Sequence, residues 1–353
     1  MKPQYARPAL QTGSRPAVPV GAKPVVAVQA GIQAVSTVPT VSTPVLAKGL
    51  DLYVELMRSG TGGQTRTLSS ERLRSDLNAS DLRCPRHRET KTLTTFIVVE
   101  GQEIAVKLYY PGARTRRPAI CYFHGGGFTF GSIESFDIVA AGLAEHTGAV
   151  VASVQYRRLP ENSYRAAQED CYAALVWLHD HAEDLGVDPY RVAVAGDSVG
   201  ALLATVSTVM ARDRGGPRLV CQLLLYGAFA MQPGRPCYAS SKDPLLTPER
   251  VDGFISVYDR QKDPGFYPAP LVMGDLSKLP PAIIVAAEHD PLREEALEYA
   301  HRLSNCGVQV DVSVASAMIH GFLRARKMCP AAGRQMVDLA QRAREHLWLN
   351  AAQ

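Results

Sequence analysis

Ser198 stands in Gly196-Asp197-Ser198-Val199-Gly200, directly after the apolar run Val192-Ala193-Val194-Ala195. A serine hydroxyl is a poor nucleophile until a base removes its proton, and the base works best when a carboxylate orients it. The chain offers such a pair once, in the order acid then base. Asp290 lies in Glu288-His289-Asp290-Pro291-Leu292 after the strand-like run 282–287, and His320 lies in Met318-Ile319-His320-Gly321-Phe322 after the alternating run 308–314. That order is expected when the nucleophile sits on a strand-to-helix turn and its partners follow later strands. Upstream, His124-Gly125-Gly126-Gly127-Phe128 follows the apolar run 119–123. Three consecutive glycines let backbone N–H groups point into a cavity, where they can hold the oxyanion of a tetrahedral intermediate. The chemistry these residues could do together is acyl transfer, with Ser198 as nucleophile, His320 as general base and then acid, and Asp290 as the acid that orients His320.

Other residue types near these motifs compete for the same roles. Glu288 and Glu294 are rivals to Asp290, but an Asp-Pro pair after a strand gives a short carboxylate on a fixed loop. His289 is expected to be an exposed neighbour. His179 and His181 are two apart on a helix, so they face different sides and make a poor metal pair. No metal and no organic cofactor is expected. Asp197 is expected to support the turn by hydrogen bonding, and Arg157 and Glu161 to fix a loop near the site. Phe128, Phe130 and Phe322 adjoin the motifs as candidate pocket linings, with core packing an equal alternative for Phe322.

The elements that must position these residues follow from periodicity. Strands are expected at 92–99, 103–110, 118–123, 149–156, 191–196, 220–226, 282–288 and 308–314, and helices at 136–146, 164–184, 199–212, 292–305 and 332–347. Strands alternating with helices imply a mostly parallel eight-stranded sheet covered on both faces, an α/β fold. Leu50, Val54 and Met57 share one face of a short helix, and Leu68-Ser69-Ser70-Glu71 offers a second helix start. Thr247-Pro248-Glu249-Arg250 opens a further helix reaching about Tyr258, inserted between two sheet strands.

Residues 1–46 read differently. Prolines at 3, 8, 16, 19, 24, 39 and 44 stop a helix from propagating, so a disordered tail is expected. Lys2 and Arg7 resemble a secretory n-region, but Gln, Gly, Thr and Pro interrupt every candidate apolar core, leaving export the lesser reading. At 353 residues with 46% hydrophobic side chains, the remainder can bury a large core as one domain from 47 to 353. A net charge of +4, with no basic run interleaved with aromatics, argues against nucleic acid. No apolar stretch approaches the roughly twenty residues of a membrane span. The seven cysteines show no Cys-x-x-Cys pair, and an odd, unpatterned set suits a reducing cytoplasm. The partner expected is a small molecule carrying an acyl group, without nucleic acid or stable membrane insertion; a homodimer is left open.

The motif set resembles the hormone-sensitive-lipase-like esterases of the α/β-hydrolases over roughly Leu50 to Leu347. His124-Gly-Gly-Gly127, Gly196-Asp-Ser-Val-Gly200, Asp290-Pro-Leu292 and His320-Gly-Phe322 match in order and approximate spacing. Tyr156-Arg157-Arg158-Leu159-Pro160-Glu161 and Leu185-Gly186-Val187-Asp188-Pro189 are also similar. The resemblance implies an α/β-hydrolase fold with a small helical cap from about 47–80 and 240–262, and hydrolysis of short- to medium-chain carboxylic esters. It implies the amides of Gly126, Gly127 and Val199 as oxyanion donors, with His124 shaping the loop beside Gly125. An amidase or acyltransferase would use the same Ser198, Asp290 and His320. A ligand-binding receptor on this fold is the rival from another class, and it would usually lack the histidine. The sequence departs from the family at Val199-Gly200-Ala201, where Ala-Gly-Gly is usual, at Asn162-Ser163-Tyr164-Arg165 and at Tyr226-Gly227-Ala228-Phe229. Val199, bulkier than alanine beside the oxyanion site, is expected to favour short acyl groups.

Overall fold

The computed structural model describes residues 44–59, 90–112 and 116–349. Eight strands form one sheet: β1 Lys91–Val99, β2 Gln102–Tyr110, β3 Arg117–Phe123, β4 Val150–Val154, β5 Val187–Asp197, β6 Gln222–Leu225, β7 Ala282–Ala287 and β8 Val310–Ala315. Their order is β1-β2-β4-β3-β5-β6-β7-β8. β2 runs antiparallel to both neighbours, and every pairing from β4 to β8 is parallel. The fold is therefore the mostly parallel α/β sheet that the strand–helix alternation predicts.

Side chains on β3 alternate between two cores, as the pleat requires. Ala119, Cys121 and Phe123 enter one, and Ile120 and Tyr122 enter the other. Helices α3 Tyr164–Asp180, α4 Val199–Arg214 and α7 Arg293–Asn305 close the first face. Helices α2 Asp137–Thr147 and α8 Pro330–Arg344 close the second. Strands buried on both faces read as unbroken apolar runs, which is why 119–123 and 282–287 carry no polar alternation. Among the described residues, no helix is long and apolar enough to cross a membrane.

Several boundaries differ from expectation. The helix from Tyr164 ends at Asp180, because 181–186 form turns that close on Gly186 at φ 67°. β5 begins earlier, at Val187, where an irregularity lets it meet Arg117 before the regular ladder. The last long helix starts at Pro330, whose missing N–H is harmless in a first turn. Two helices lie between β6 and β7, α5 Pro236–Ala239 and α6 Pro248–Arg260. α1, Leu50–Ser59, buries Leu50, Tyr53, Val54 and Met57 along one face. The helix start at 68–71, the cap segment 60–80 and the tail to residue 43 lie outside the described residues.

Candidate active site

Ser198 is the single residue between β5 and α4. It takes φ 56° and ψ −123°, a region a residue with a side chain rarely enters, and packing must hold it there. Backbone contacts do so: the Ser198 amide donates to Leu225 O at 2.9 Å, and Ala228 N donates to Ser198 O at 3.1 Å. The flanking glycines are required by close approach. A Cβ on Gly196 would lie 2.0 Å from Gly200 O, and one on Gly200 would lie 2.0 Å from Phe123 O.

His320 follows β8 and is succeeded by Gly321 at φ 72°, which turns the chain into a short 3-10 segment, Phe322–Ala325. Its Nε2 lies 2.9 Å from Ser198 Oγ, and its Nδ1 lies 2.8 Å from Asp290 Oδ2. Asp290, in the loop after β7, also accepts Leu292 N–H at 2.8 Å through Oδ1. Burial disfavours the imidazolium of His320, yet the carboxylates of Asp290, Asp243 and Asp197 outweigh it and hold its pKa above the ordinary histidine value.

The rival residues turn elsewhere. Glu288 Oε2 accepts Ala317 N–H at 2.7 Å, Glu294 pairs with Arg293 at 2.7 Å, and His289, half-buried where an exposed ring is expected, has Nε2 3.2 Å from Val45 O. His124 is buried, stacked on Tyr156 at 4.4 Å, with Nδ1 2.8 Å from Gly125 O. Burial takes its pKa down to about 4, so the ring is neutral at neutral pH. Asp197 Oδ1 accepts Tyr122 O–H at 2.6 Å and Gly125 N–H at 2.9 Å, which ties the glycine loop to the serine turn. Burial raises its pKa to about 6.

Gly126, Gly127, Ser198, Val199 and His320 share the wall of one cavity of about 780 Å³. Val199 is the first residue of α4, so its N–H is one that a helix leaves without an intrahelical acceptor. α1 adds Tyr53 and Met57 to the lining, and α6 adds Val251 and Phe254. Phe254 stands over the glycine loop, so close that a Cβ on Gly127 would strike its ring, and it meets Phe130 edge-on at 5.8 Å. Of the three candidate lining phenylalanines, Phe130 lines this cavity. Phe128 packs between Tyr164 and Tyr258, and Phe322 packs against Tyr226, both in the core.

Three buried polar partners escape a reading of motifs. Tyr122 sits in an apolar strand and gives no signal. Glu295 accepts from Phe229 N, Ala230 N and the Tyr238 hydroxyl, fixing the segment after β6 to α5 and α7. Its helix-face position hides that role. Asp243 accepts the His320 amide at 2.6 Å. Asp243-Pro244-Leu245 repeats the Asp-Pro-Leu of 290–292, but Asp-Pro also occurs at 188–189 and 263–264, so the pair alone does not single out Asp243.

Comparison with known proteins agrees with this architecture. A family model described as the alpha/beta hydrolase fold matches residues 120–324. The carboxylesterase NlhH of Mycobacterium tuberculosis is 40% identical over 237 residues, covering 65% of this chain and 74% of that protein. An ethyl acetate hydrolase of Pseudomonas putida is 33% identical over 262 residues, covering 70% and 80% respectively. The structure of a hyperthermophilic esterase from the archaeon Pyrobaculum calidifontis superposes with a TM-score of 0.75 at 34% identity, over 85% of this chain and 99% of that one.

Proposed function

The chain belongs to the hormone-sensitive-lipase-like esterases of the α/β-hydrolase fold and is a carboxylic ester hydrolase, and from that premise we propose that Ser198, His320 and Asp290 carry the reaction. The observation that supports this most is the unbroken chain of contacts from Ser198 Oγ to His320 to Asp290, at 2.9 and 2.8 Å, built from three separate loops. When Nδ1–H donates to Asp290, Nε2 is left to accept the Ser198 proton. Ser198 Oγ then attacks the ester carbonyl carbon. The oxyanion that forms is held by the amides of Gly126, Gly127 and Val199, each such donor typically worth roughly 3–4 kcal/mol. His320 returns the proton to the departing alkoxide, and the alcohol leaves acyl-Ser198. Water, deprotonated by His320, attacks that ester, and His320 returns the proton to Ser198 Oγ as the acid is freed.

Short- to medium-chain acyl groups are the proposed range. Val199 fills space beside the oxyanion position, and Phe254 and Phe130 narrow the cavity above the glycine loop. The ethyl acetate hydrolase among the relatives supports a small acyl group. We assign α1 and the stretch 240–262 to the cap, since Tyr53 and Met57 of α1 and Val251 and Phe254 of α6 line the cavity that holds Ser198.

Ser198→Ala tests the assignment. It is expected to abolish p-nitrophenyl butyrate cleavage and fluorophosphonate labelling while circular dichroism stays unchanged. Labelling at another serine would refute it.

A further inference from the structure

Resting on the assignment of Ser198, His320 and Asp290, we infer that Ser241 and Asp243 form a clasp holding the Asp290 and His320 loops in register, with Asp243 a positioning residue for the general base. Both lie in the link between α5 and α6. The Asp243 carboxylate is buried, yet both oxygens are used. Oδ2 accepts His320 N–H at 2.6 Å, and Oδ1 accepts Leu245 N–H at 2.8 Å and Leu246 N–H at 2.9 Å. Ser241 Oγ accepts Asp243 N–H at 3.1 Å and donates to His289 O at 3.0 Å, one residue before Asp290. One short link therefore grips the backbone of both loops.

Such a grip matters because Asp290 and His320 come from loops after neighbouring strands. Ladder-side bonds fix those loops near their bases, Glu288 N to Ala315 O at 3.1 Å and His289 N to Met318 O at 3.0 Å. The His320 amide is taken by Asp243 instead, at the level of the reacting imidazole. A shift of about 1 Å in such a group can cost on the order of a hundredfold in rate. The same link reaches the cavity wall. Pro244 and Leu245 line the cavity, Arg58 of α1 donates to Pro244 O, and Arg250 of α6 donates to Leu245 O. The helices over the cavity and the loops of the base and acid are thus joined through residues 241–246.

Asp243 also acts through its charge. The groups facing His320 are Asp290 from the loop after β7, Asp243 from the α5–α6 link, Asp197 from the end of β5 and the ring edge of Tyr226. Asp243 in turn faces Asp290 and His320. Removing its charge takes one stabilising anion from the His320 imidazolium. Asparagine has one acceptor oxygen, and its NH2 can only donate, so Asp243→Asn cannot satisfy the three backbone amides as the carboxylate does.

The test compares the full-length wild type, Asp243→Asn and Ser241→Ala, using p-nitrophenyl butyrate kinetics, Tm and NMR titration of the His320 imidazole. Asp243→Asn is expected to lower kcat by about ten- to a hundredfold with KM nearly unchanged. It should move both the acid limb of kcat/KM and the His320 titration to lower pH. Ser241→Ala should lower kcat several-fold and leave the titration in place. Unchanged kcat and titration in Asp243→Asn would overturn the clasp, as would a loss traced wholly to a fallen Tm with the titration unmoved. If Asp243→Asn does not fold, unchanged kcat in Ser241→Ala overturns it. Activity persisting in Ser198→Ala would instead refute the underlying assignment, a result separable from the His320 titration.

Discussion

Glu288 and Asp290 are two residues apart in one loop, and only Asp290 turns its carboxylate onto His320. Geometry at this scale makes the acid's identity testable. Asp290→Asn is expected to lower kcat by up to about 10⁴, because an amide favours the wrong imidazole tautomer. Glu288→Gln should change it little, since glutamine still offers an oxygen to Ala317 N–H, and Glu294→Gln faces away from the site. Steady-state kinetics on the three variants would contradict the assignment if that ranking reversed. The pH profile belongs here too. Burial opposes charge on His320, but Asp290, Asp243 and Asp197 prevail and raise its pKa. His320 must be neutral to accept the serine proton, so kcat/KM should rise with pH through a midpoint above the ordinary histidine value of about 6.5. A rate profile between about pH 5 and 9 checks this, and a limb centred below that value would count against His320 as the base.

Elements translate these residues into a cavity. The turn between β5 and α4 presents Ser198 because Gly196 and Gly200 let strand, turn and helix pass within contact distance of each other. α6 buries Val251, Ile255 and Tyr258 against the first core, which sets Phe254 over the glycine loop. On the proposed reading, acyl choice is set by Val199 on α4 together with the walls from α1 and α6. The wild type is expected to prefer p-nitrophenyl acetate and butyrate to laurate and palmitate. Val199→Ala should widen the range without lowering short-ester turnover. If the wild type prefers long chains, or the substitution damages acetate turnover, Val199 is not the limit and α6 sets it.

For the whole molecule, two cores on opposite faces of a single sheet support the site. Deleting residues 2–40 is expected to leave Tm and p-nitrophenyl ester turnover nearly unchanged, as a segment broken by six prolines offers little periodic apolar surface. A fall in Tm of several degrees would show that this segment packs on the domain.

What the sequence by itself determined were features that local chemistry enforces. Gly-x-Ser-x-Gly needs its glycines for steric reasons, Asp290-Pro291 and His320-Gly321 follow strands whose apolar period is plain, and the order of strands and helices implies a covered parallel sheet. Only the tertiary structure decided how loops distant in sequence meet. Asp243 reaches His320 across 77 positions and Tyr122 reaches Asp197 across 75. Phe130, rather than Phe128 or Phe322, lines the cavity because α6 and the neighbouring tyrosines claim the other two rings. Such contacts depend on packing between elements, and no period or spacing along a single chain encodes the distance between two loops.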